Sequence, residues 1–225
     1  MKFSEDYQML LSTISHEIRN PLTLINSYLQ LLADSYPEIT SCTYWDTIHT
    51  EMEHLILLLQ DISSYQNSIL LCPQPIDFAV WLAEYKNTIL PLLKHSKITF
   101  DCETEKDLPL IEVDVRRFRQ VFDNLVRNSI EALNICQKPN PYLMIKAFMD
   151  GDMLCITVTD NGYKIPAEQI STLFDPFVTH KSCGTGLGLP IAKRIIEAHQ
   201  GTITLACNSA DKTTFEIRLP IKNLQ

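Results

Sequence analysis

The chain has 225 residues, of which 45% are hydrophobic and 20% charged, and its formal net charge is −8. This length suits one or two domains with ordinary cores, and the composition excludes a disordered protein. Since no cluster of Lys and Arg interrupts the acidic balance, we expect no nucleic-acid partner.

Cysteine usage and hydropathy indicate the compartment. The seven cysteines are scattered, with neither a C-x-x-C pair nor a metal-ligand spacing, so we interpret them as reduced thiols. No apolar run reaches the about 18 residues of a membrane helix, and acidic residues occupy the place of a signal peptide's apolar segment. The sequence predicts a soluble cytoplasmic chain without a membrane segment.

The first predicted element is a helix from about Ser4 to Ala33. Its apolar residues recur at helical spacing: Tyr7, Leu11, Ile14, Ile18, Pro21, Ile25 and Leu32. At about 100° per residue, His16 lies about 200° from Ile14 and Ile18, which predicts a solvent-facing side chain. Pro21 removes one backbone hydrogen bond, so we expect a kink just past the histidine.

The stretch from Ser15 to Pro21 has the features of a reaction site. A neutral imidazole such as His16 can accept a phosphoryl group on nitrogen, and Glu17 beside it can take the ring proton or hold the tautomer. The ordinary alternative is a solvated surface histidine.

A second helix is predicted from the apolar residues Trp45, Ile48, Met52, Leu55, Leu59 and Ile62. Two such helices joined by a short turn form an antiparallel hairpin whose apolar surface is wider than one hairpin covers. We therefore expect a symmetric dimer that forms a four-helix bundle. The alternative is a monomeric hairpin packed on the rest of the chain.

The two prolines in 71–75 predict a linker, which places the domains at 1–70 and 71–225. The next predicted elements are a helix over 78–93, strands over 97–102 and 109–113, and a helix over 115–135. That last helix carries a row of polar residues at helical spacing: Gln120, Asn124, Asn128 and Glu131. The row is either a solvated stripe or a set of oxygen ligands for Mg²⁺ and phosphates.

The last third of the chain combines strands with glycine-rich turns. Strands over 142–149 and 153–159 lead to Asp160-Asn161-Gly162, which places a carboxylate at a strand end. A short helix is predicted over 168–173, and strands over 201–206 and 213–219. Between them, Gly184 to Leu189 opens a helix that runs to about His199. Such a turn presents backbone N–H groups to an anion, although a flexible loop is the alternative.

The order of these motifs resembles the catalytic core of bacterial two-component sensor histidine kinases, over residues 5–220. The corresponding segments are the H box at 16–21, the N box at 124–128, the first glycine box at 160–162, the F box at 174–177 and the second glycine box at 184–189. Five motifs in the right order make this resemblance specific.

The resemblance implies a helical hairpin forming a dimeric four-helix bundle, followed by a Bergerat-type α/β sandwich that binds ATP. It implies that His16 attacks the γ-phosphate, that Glu17 acts as base, and that Asn20 helps to hydrolyse a partner's phospho-aspartate.

The resemblance also implies the nucleotide contacts. Asn128 would coordinate Mg²⁺, Asn124 would sit beside the phosphates, and Asp160 would accept a hydrogen bond from the adenine amino group. The other implied contacts are Gly162, Lys181, Gly184, Thr185, Gly186, Leu187 and Gly188, with 178–183 as a lid. His180 and Lys181 are candidates for the cation that phosphoryl transfer needs, and a solvated loop residue is the alternative for Lys181.

The implied activity is that of a homodimeric autokinase that passes the phosphoryl group to an aspartate on a response-regulator receiver domain. One alternative is a phosphotransferase that no longer binds ATP, since Lys164 replaces a family glycine and would cost about 1 kcal/mol at positive φ. Another is a non-catalytic dimeric scaffold. Because only a few residues precede the phosphoacceptor helix, we expect either a fragment of a longer kinase or input from an upstream sensor protein.

Overall fold

The computed structural model describes residues 5–67, 70–94, 96–136, 138–181 and 184–221, with side chains in those ranges except at 5–16 and 66–67. The chain forms two compact units. One comprises Met1–Asn67 and Pro176–Leu187, and the other comprises Ser68–Asp175 and Gly188–Gln225.

The first unit is built on two long helices, α1 (Glu5–Ser35) and α2 (Trp45–Asn67), which pack against each other. A 3₁₀ helix at Pro37–Ser41 lies in the short connection between them. Helix α1 continues through Pro21, although proline has no N–H to donate to the preceding turn. The predicted helical hairpin is therefore present.

About half of the apolar side chains described on these helices are exposed. Met52 and Leu59 of α2 are buried, at 7% and 6% exposure. The exposed apolar residues are Ile18, Leu24, Ile25, Tyr28, Leu31 and Leu32 on α1 and Ile48, Leu55 and Leu57 on α2. The predicted apolar positions Tyr7, Leu11 and Ile14 lie outside the described side chains. Within the described part, one hairpin therefore leaves part of its apolar surface uncovered.

The second unit is an α/β structure. Its strands are β1 (Gln74–Ile76), β2 (Thr99–Thr104), β3 (Ile111–Val113), β4 (Tyr142–Asp150), β5 (Met153–Asp160), β6 (Thr202–Asn208) and β7 (Thr213–Pro220). Its helices are α3 (Phe78–Ile89), α4 (Val115–Cys136), α5 (Ala167–Ile170) and α6 (Gly188–Ala198).

Five strands form one mixed sheet in the order β2-β4-β5-β7-β6. Only the β2–β4 pair of this sheet is parallel, and the other pairs are antiparallel. Helices α4 and α6 pack against each other, α4 also contacts β4 and β5, and α6 contacts β6. The core between helices and sheet contains fully buried residues such as Phe122, Leu125, Ile156, Ile191 and Ile195. The predicted fold class, a helical region followed by an α/β unit, is confirmed.

Four local predictions differ from the structure. The predicted linker contains strand β1, which pairs antiparallel with β3. The helix predicted over 78–93 ends at Ile89 and continues as a 3₁₀ turn with Pro91 near its start. The short helix predicted over 168–173 is α5, at Ala167–Ile170. Helix α6 begins only at the last glycine of the glycine-rich turn, because Gly186 has a positive φ of 66° that no α-helix accommodates.

Candidate functional site

Asp160 ends strand β5 with its carboxylate buried, at 2% exposure. One carboxylate oxygen accepts a hydrogen bond from Ser129 Oγ at 2.7 Å, and the other accepts from the backbone N–H of Gly162 at 2.9 Å. Burial raises the pKa of Asp160, whereas these two hydrogen bonds and the charge of Lys138 act to lower it. A carboxylate held in this way still has lone pairs for a further N–H donor, such as a purine amino group.

The turn after Asp160 lies directly against helix α4. A Cβ at Gly162 would come within 2.8 Å of the Ala132 Cβ, so only glycine allows this approach. Asn161 secures the same turn, since its Oδ1 accepts from the Tyr142 N–H at 2.8 Å and its Nδ2 donates to the Asn140 carbonyl at 2.9 Å. The predicted residues Asp160 and Gly162 therefore form one local site with α4.

Sequence reasoning missed two buried hydroxyl groups around the end of strand β5, one of which contacts this carboxylate. Ser129, at 2% exposure, lies on the buried face of α4 among Leu125, Val126 and Leu133. Thr214 on β7 is also buried and shares a 3.0 Å hydrogen bond with Thr159 on β5. A serine in an otherwise apolar helical stripe was the available signal for Ser129, because a buried hydroxyl needs a partner.

The predicted polar row on α4 is not uniform. Asn124 is buried, at 5% exposure, whereas Gln120, Asn128 and Glu131 are half-buried. Asn124 Nδ2 donates to the Gly188 carbonyl oxygen at 3.0 Å, and Asn124 Oδ1 accepts from Arg127 Nη2 at 3.1 Å. Asn124 thus connects α4 to the first residue of α6.

The predicted nucleotide and metal fit these residues in chemical terms. A buried acceptor at Asp160 suits a purine, and the start of α6 at Gly188 suits an anion. Among the residues that the structure describes, no group of three or more His, Cys, Asp or Glu side chains could hold a metal ion. A magnesium ion at Asn128 would therefore depend on the amide oxygen, nucleotide phosphates and water.

Lys164 does not carry the strain that its position suggested. The described non-glycine residues with positive φ are Asp107, Phe177 and Gln200, so the backbone at Lys164 is in an ordinary region. Asn208 holds the next residue, Ile165, through hydrogen bonds of 2.9 Å to its N–H and 2.8 Å to its carbonyl. The argument that Lys164 would weaken ATP binding through backbone strain is therefore wrong.

The predicted phosphoacceptor residues lie on α1. The His16 side chain falls outside the described side chains, and with it the prediction that it faces solvent. Glu17 and Asn20 are exposed, one residue and four residues further along the helix. Helix α1 therefore presents at least these two polar side chains of the H box to solvent.

The segment Pro176–Leu187 belongs to the helical unit and contains the predicted contacts Lys181, Gly184, Thr185, Gly186 and Leu187. The Phe177 N–H donates to the Gly186 carbonyl at 3.0 Å, and both residues have a φ of 66°. Thr185 Oγ1 donates to Asp61 Oδ2 on α2 at 2.6 Å and accepts from the Leu187 N–H at 3.3 Å. The Thr185 hydroxyl is therefore engaged by protein groups on both sides.

No helix in the described part of the chain combines the length and the apolar character that crossing a membrane requires. Two family descriptions match the sequence. "His Kinase A (phospho-acceptor) domain" matches residues 7–68. "Histidine kinase-, DNA gyrase B-, and HSP90-like ATPase" matches residues 113–223.

Known proteins resemble the chain over nearly its whole length. Sporulation kinase C of Bacillus subtilis (strain 168) is 30% identical over 95% of this chain and 49% of its own length. The chain spans about half the length of such curated relatives.

Two solved structures share the architecture. The histidine kinase ThkA in complex with the response regulator protein TrrA is 27% identical, with a TM-score of 0.68 over 95% of this chain and 61% of that one. Full-length ShkA in complex with AMPPNP has a TM-score of 0.78 over 95% of this chain and 46% of that one, and at 24% identity it shows the fold alone.

The phosphoacceptor match comes before the ATPase match along the chain. The first match contains the H box on α1, and the second contains the buried Asp160 on β5. The chain therefore belongs to the histidine kinases and carries the catalytic core of a two-component histidine kinase.

Proposed function

We propose that this chain transfers the γ-phosphoryl group of ATP to His16 and then to an aspartate on a response-regulator receiver domain. The observation that carries the proposal is the buried Asp160, held by Ser129 and Gly162, in a chain whose first helix contains the H box. The complex of ThkA with a response regulator supports a receiver domain as the partner.

The sequence contains the side chains that this chemistry requires of the kinase itself. An imidazole nitrogen of His16 attacks the γ-phosphorus, the bond to the bridging oxygen breaks, and ADP leaves. Glu17 takes the N–H proton that the phosphorylated ring loses. In the second step the receiver carboxylate attacks the phosphorus and the P–N bond breaks, while the ring regains a proton. Asn20 is assigned to a separate activity, in which water attacks the phosphorus of the phosphorylated receiver aspartate, the bond to the aspartate oxygen breaks, and inorganic phosphate leaves.

The nucleotide roles follow the same proposal. Asp160 accepts from the adenine amino group, Gly162 keeps the turn against α4, and Asn128 holds Mg²⁺, which neutralises phosphate charge when bound. The segment with Lys181, Gly184, Thr185, Gly186 and Leu187, followed by Gly188, provides backbone N–H groups and a cation for the phosphates.

The proposed assembly is a cytoplasmic homodimer in which 1–70 form the phosphoacceptor domain and 71–225 the ATP-binding domain. The uncovered apolar side chains of α1 and α2 support the dimer, since a second hairpin would bury them. An upstream sensor protein would provide the signal.

The test is incubation of the purified chain with γ-labelled ATP and Mg²⁺, followed by acid and alkali treatment of the labelled protein. We expect label that survives alkali and is lost in acid, because a P–N bond is acid-labile. The His16→Gln variant should carry no label.

His49→Gln is the matched control. His49 is a partly exposed histidine on α2 that contacts Glu53, so its loss should leave labelling unchanged. Label that persists in His16→Gln would contradict the assignment of the phosphoacceptor, and a folded wild type that takes no label would contradict the autokinase.

A further inference from the structure

The described part of the segment Pro176–Leu187 is bonded to helix α2 through one side chain. Thr185 Oγ1 donates to Asp61 Oδ2 at 2.6 Å, and the same oxygen accepts from the Leu187 N–H at 3.3 Å. Leu187 is fully buried, and Asp61 is half-buried. A carboxylate therefore ends a chain of donors that runs from the Leu187 N–H through the Thr185 hydroxyl.

This contact occupies groups that the proposed function gives to the nucleotide. In that function the N–H groups of the segment bind phosphate oxygens. In the structure the Leu187 N–H bonds to Thr185, and Thr185 donates to a carboxylate, which is an oxygen anion as a phosphate is. A phosphate that approached Thr185 would meet a second negative charge. The Asp61–Thr185 contact and phosphate binding by these groups therefore exclude each other.

The backbone beside this contact is strained. Phe177 has a φ of 66°, which a non-glycine residue rarely adopts, and its N–H donates to the Gly186 carbonyl at 3.0 Å. A Cβ on Gly186 would lie 2.7 Å from the Phe177 carbonyl carbon, so the two backbones are in close contact. A strained backbone persists only where surrounding contacts hold it. The bond from Thr185, the neighbour of Gly186, to α2 is such a contact, and its release would allow the strain to relax.

The contact also lies at about the level of the phosphoacceptor on the helical hairpin. His16 lies 19 residues before Ser35, the last residue of α1. Asp61 lies 16 residues after Trp45, the first residue of α2. At about 1.5 Å per residue these lengths are about 28 and 24 Å, which differ by less than one helical turn. The carboxylate that holds Thr185 is therefore in the part of the hairpin that contains His16.

We propose that the Asp61 carboxylate competes with the nucleotide phosphates for the segment Pro176–Leu187. The segment exchanges between a docked state, in which Thr185 is bonded to Asp61, and a released state, in which its donors are available to phosphate. This inference rests on the proposed function and adds regulation to it.

The consequence is an autoinhibitory coupling between the hairpin and the nucleotide. Phosphates stabilise only the released state, so the apparent affinity for ATP is reduced by the fraction of chains that are docked. A change in the hairpin that moves Asp61 away from Thr185 would raise that affinity, and by reciprocity bound ATP would weaken the contact with α2.

The experiment is a calorimetric titration of the full chain with ATP and with adenosine in the presence of Mg²⁺. It compares wild type with Asp61→Ala and Asp61→Asn, after thermal unfolding has shown that each variant folds. Asp46→Asn is the matched control, because Asp46 is an exposed acid on the same helix. It lies 15 residues before Asp61, which is about 22 Å along the helix.

We expect Asp61→Ala to bind ATP about tenfold more tightly than wild type. Its affinity for adenosine should be unchanged, because adenosine has no phosphate to compete with a carboxylate. Asp61→Asn should show a smaller gain for ATP, since its amide oxygen can still accept from Thr185 but has no negative charge. Asp46→Asn should match wild type for both ligands.

Unchanged or weaker ATP binding by a folded Asp61→Ala would overturn the inference. Equal gains for ATP and adenosine would also overturn it, as would an equal gain in Asp46→Asn, because these results indicate a general effect of fold or charge. In all these cases the chain binds ATP, so the proposed function stands. Folded wild type and folded Asp61→Ala that both bind no ATP would overturn the proposed function and the inference together.

Discussion

At the scale of single residues, the proposed purine end of the site depends on a balance at one carboxylate. Burial raises the pKa of Asp160, and the Ser129 and Gly162 donors counteract that shift. A raised pKa in the folded chain means that Asp160 takes up a proton at a higher pH than an exposed aspartate. Since a protonated carboxyl loses acceptor capacity, nucleotide affinity should fall as the pH falls through that raised pKa.

Ser129→Ala tests this balance. Removing the hydroxyl should raise the pKa of Asp160 further, so the loss of nucleotide affinity should begin at a higher pH than in wild type. The folded chain should also lose about 1 to 3 kcal/mol of stability, because a buried carboxylate loses a donor. Titration with a fluorescent ATP analogue from pH 5 to 8 and urea unfolding would measure the two effects.

Ser209→Ala is the control for that prediction. Its hydroxyl serves only the turn before β7, where the N–H groups of Asp211 and Lys212 donate to it. It should leave the pH profile of nucleotide binding unchanged. A Ser129→Ala profile that coincides with wild type would contradict the role given to the serine.

The sequence contains a signal for Asp160 but little for its surroundings. The carboxylate between a strand pattern and Asn-Gly can be recognised in the sequence, and so can the amide row on α4. The contacts of Asn124 with Gly188 and of Thr185 with Asp61 join residues 64 and 124 positions apart, so no local pattern predicts them. For the same reason Asn124 resembled an exposed ligand, although it is buried.

At the scale of elements, helix α4 is secured at its N-terminus by a network that spans the α/β unit. Asp114 caps the helix by accepting from the Arg117 N–H at 3.0 Å, and its other oxygen accepts from the Cys72 N–H at 2.9 Å. The Asp114 N–H donates to His199 Nε2 at 2.9 Å, just past the end of α6. One capping residue thus connects the segment before β1 and the two helices α4 and α6.

His199 functions in this network only as a neutral imidazole. Its Nδ1 lies 2.7 Å from the Ile195 carbonyl, so Nδ1 carries the proton and Nε2 accepts from the Asp114 N–H. Burial lowers the pKa of His199, against the hydrogen bond to Ile195 and the Asp114 charge. A lowered folded pKa means that the unfolded chain binds more protons below about pH 6.5.

The α/β unit should therefore lose stability as the pH falls from about 6.5 towards the folded pKa, by up to about 1.4 kcal/mol per pH unit. Above the unfolded pKa this contribution is fully present. Urea unfolding at a series of pH values would measure it. His199→Gln should flatten that part of the profile.

The same measurement on His49→Gln provides the comparison. His49 lies on α2 and is partly exposed, so its variant should keep the wild-type slope. A His199→Gln profile with an undiminished slope would show that other groups govern the pH dependence.

Periodicity predicted the long helices and strands, but it did not predict the short elements. Helix α4 and the strands β4 and β5 have strong patterns and lie where expected. Strand β1 was missed because Pro75 indicates a break, and its pairing with β3 is a long-range contact. The start of α6 was placed too early because a glycine-rich turn and a helix start have similar local composition.

At the scale of the whole molecule, the main feature is the exposed apolar surface of α1 and α2. Leu24, Leu31 and Tyr28 are more than half exposed on α1, and Ile48 and Leu57 are nearly half exposed on α2. A second copy of the hairpin would bury these side chains in a four-helix bundle, at about 25 cal/mol for each Å² removed from water.

The predicted dimer can be tested by light scattering on the purified chain. We expect twice the monomer mass for wild type and a monomer for the double variant Leu24→Glu, Leu31→Glu, because charges would enter the bundle core. Leu92→Glu is the control, since Leu92 is 73% exposed in the α/β unit and should not affect the mass. A double variant that remains dimeric would place the interface elsewhere.

The turn after β5 also bears on the chemical ageing of the protein. Asn161-Gly162 is the dipeptide in which the glycine nitrogen most readily attacks the asparagine side chain and converts it to aspartate or isoaspartate. Here the Gly162 N–H is bonded to Asp160, and both ends of the Asn161 amide are bonded to protein. Attack requires these bonds to open, so damage at the proposed purine end should accumulate in proportion to the fraction of time for which this turn is open. The hydrogen bonds that hold Asn161 and Gly162 in place therefore also slow the deamidation of Asn161.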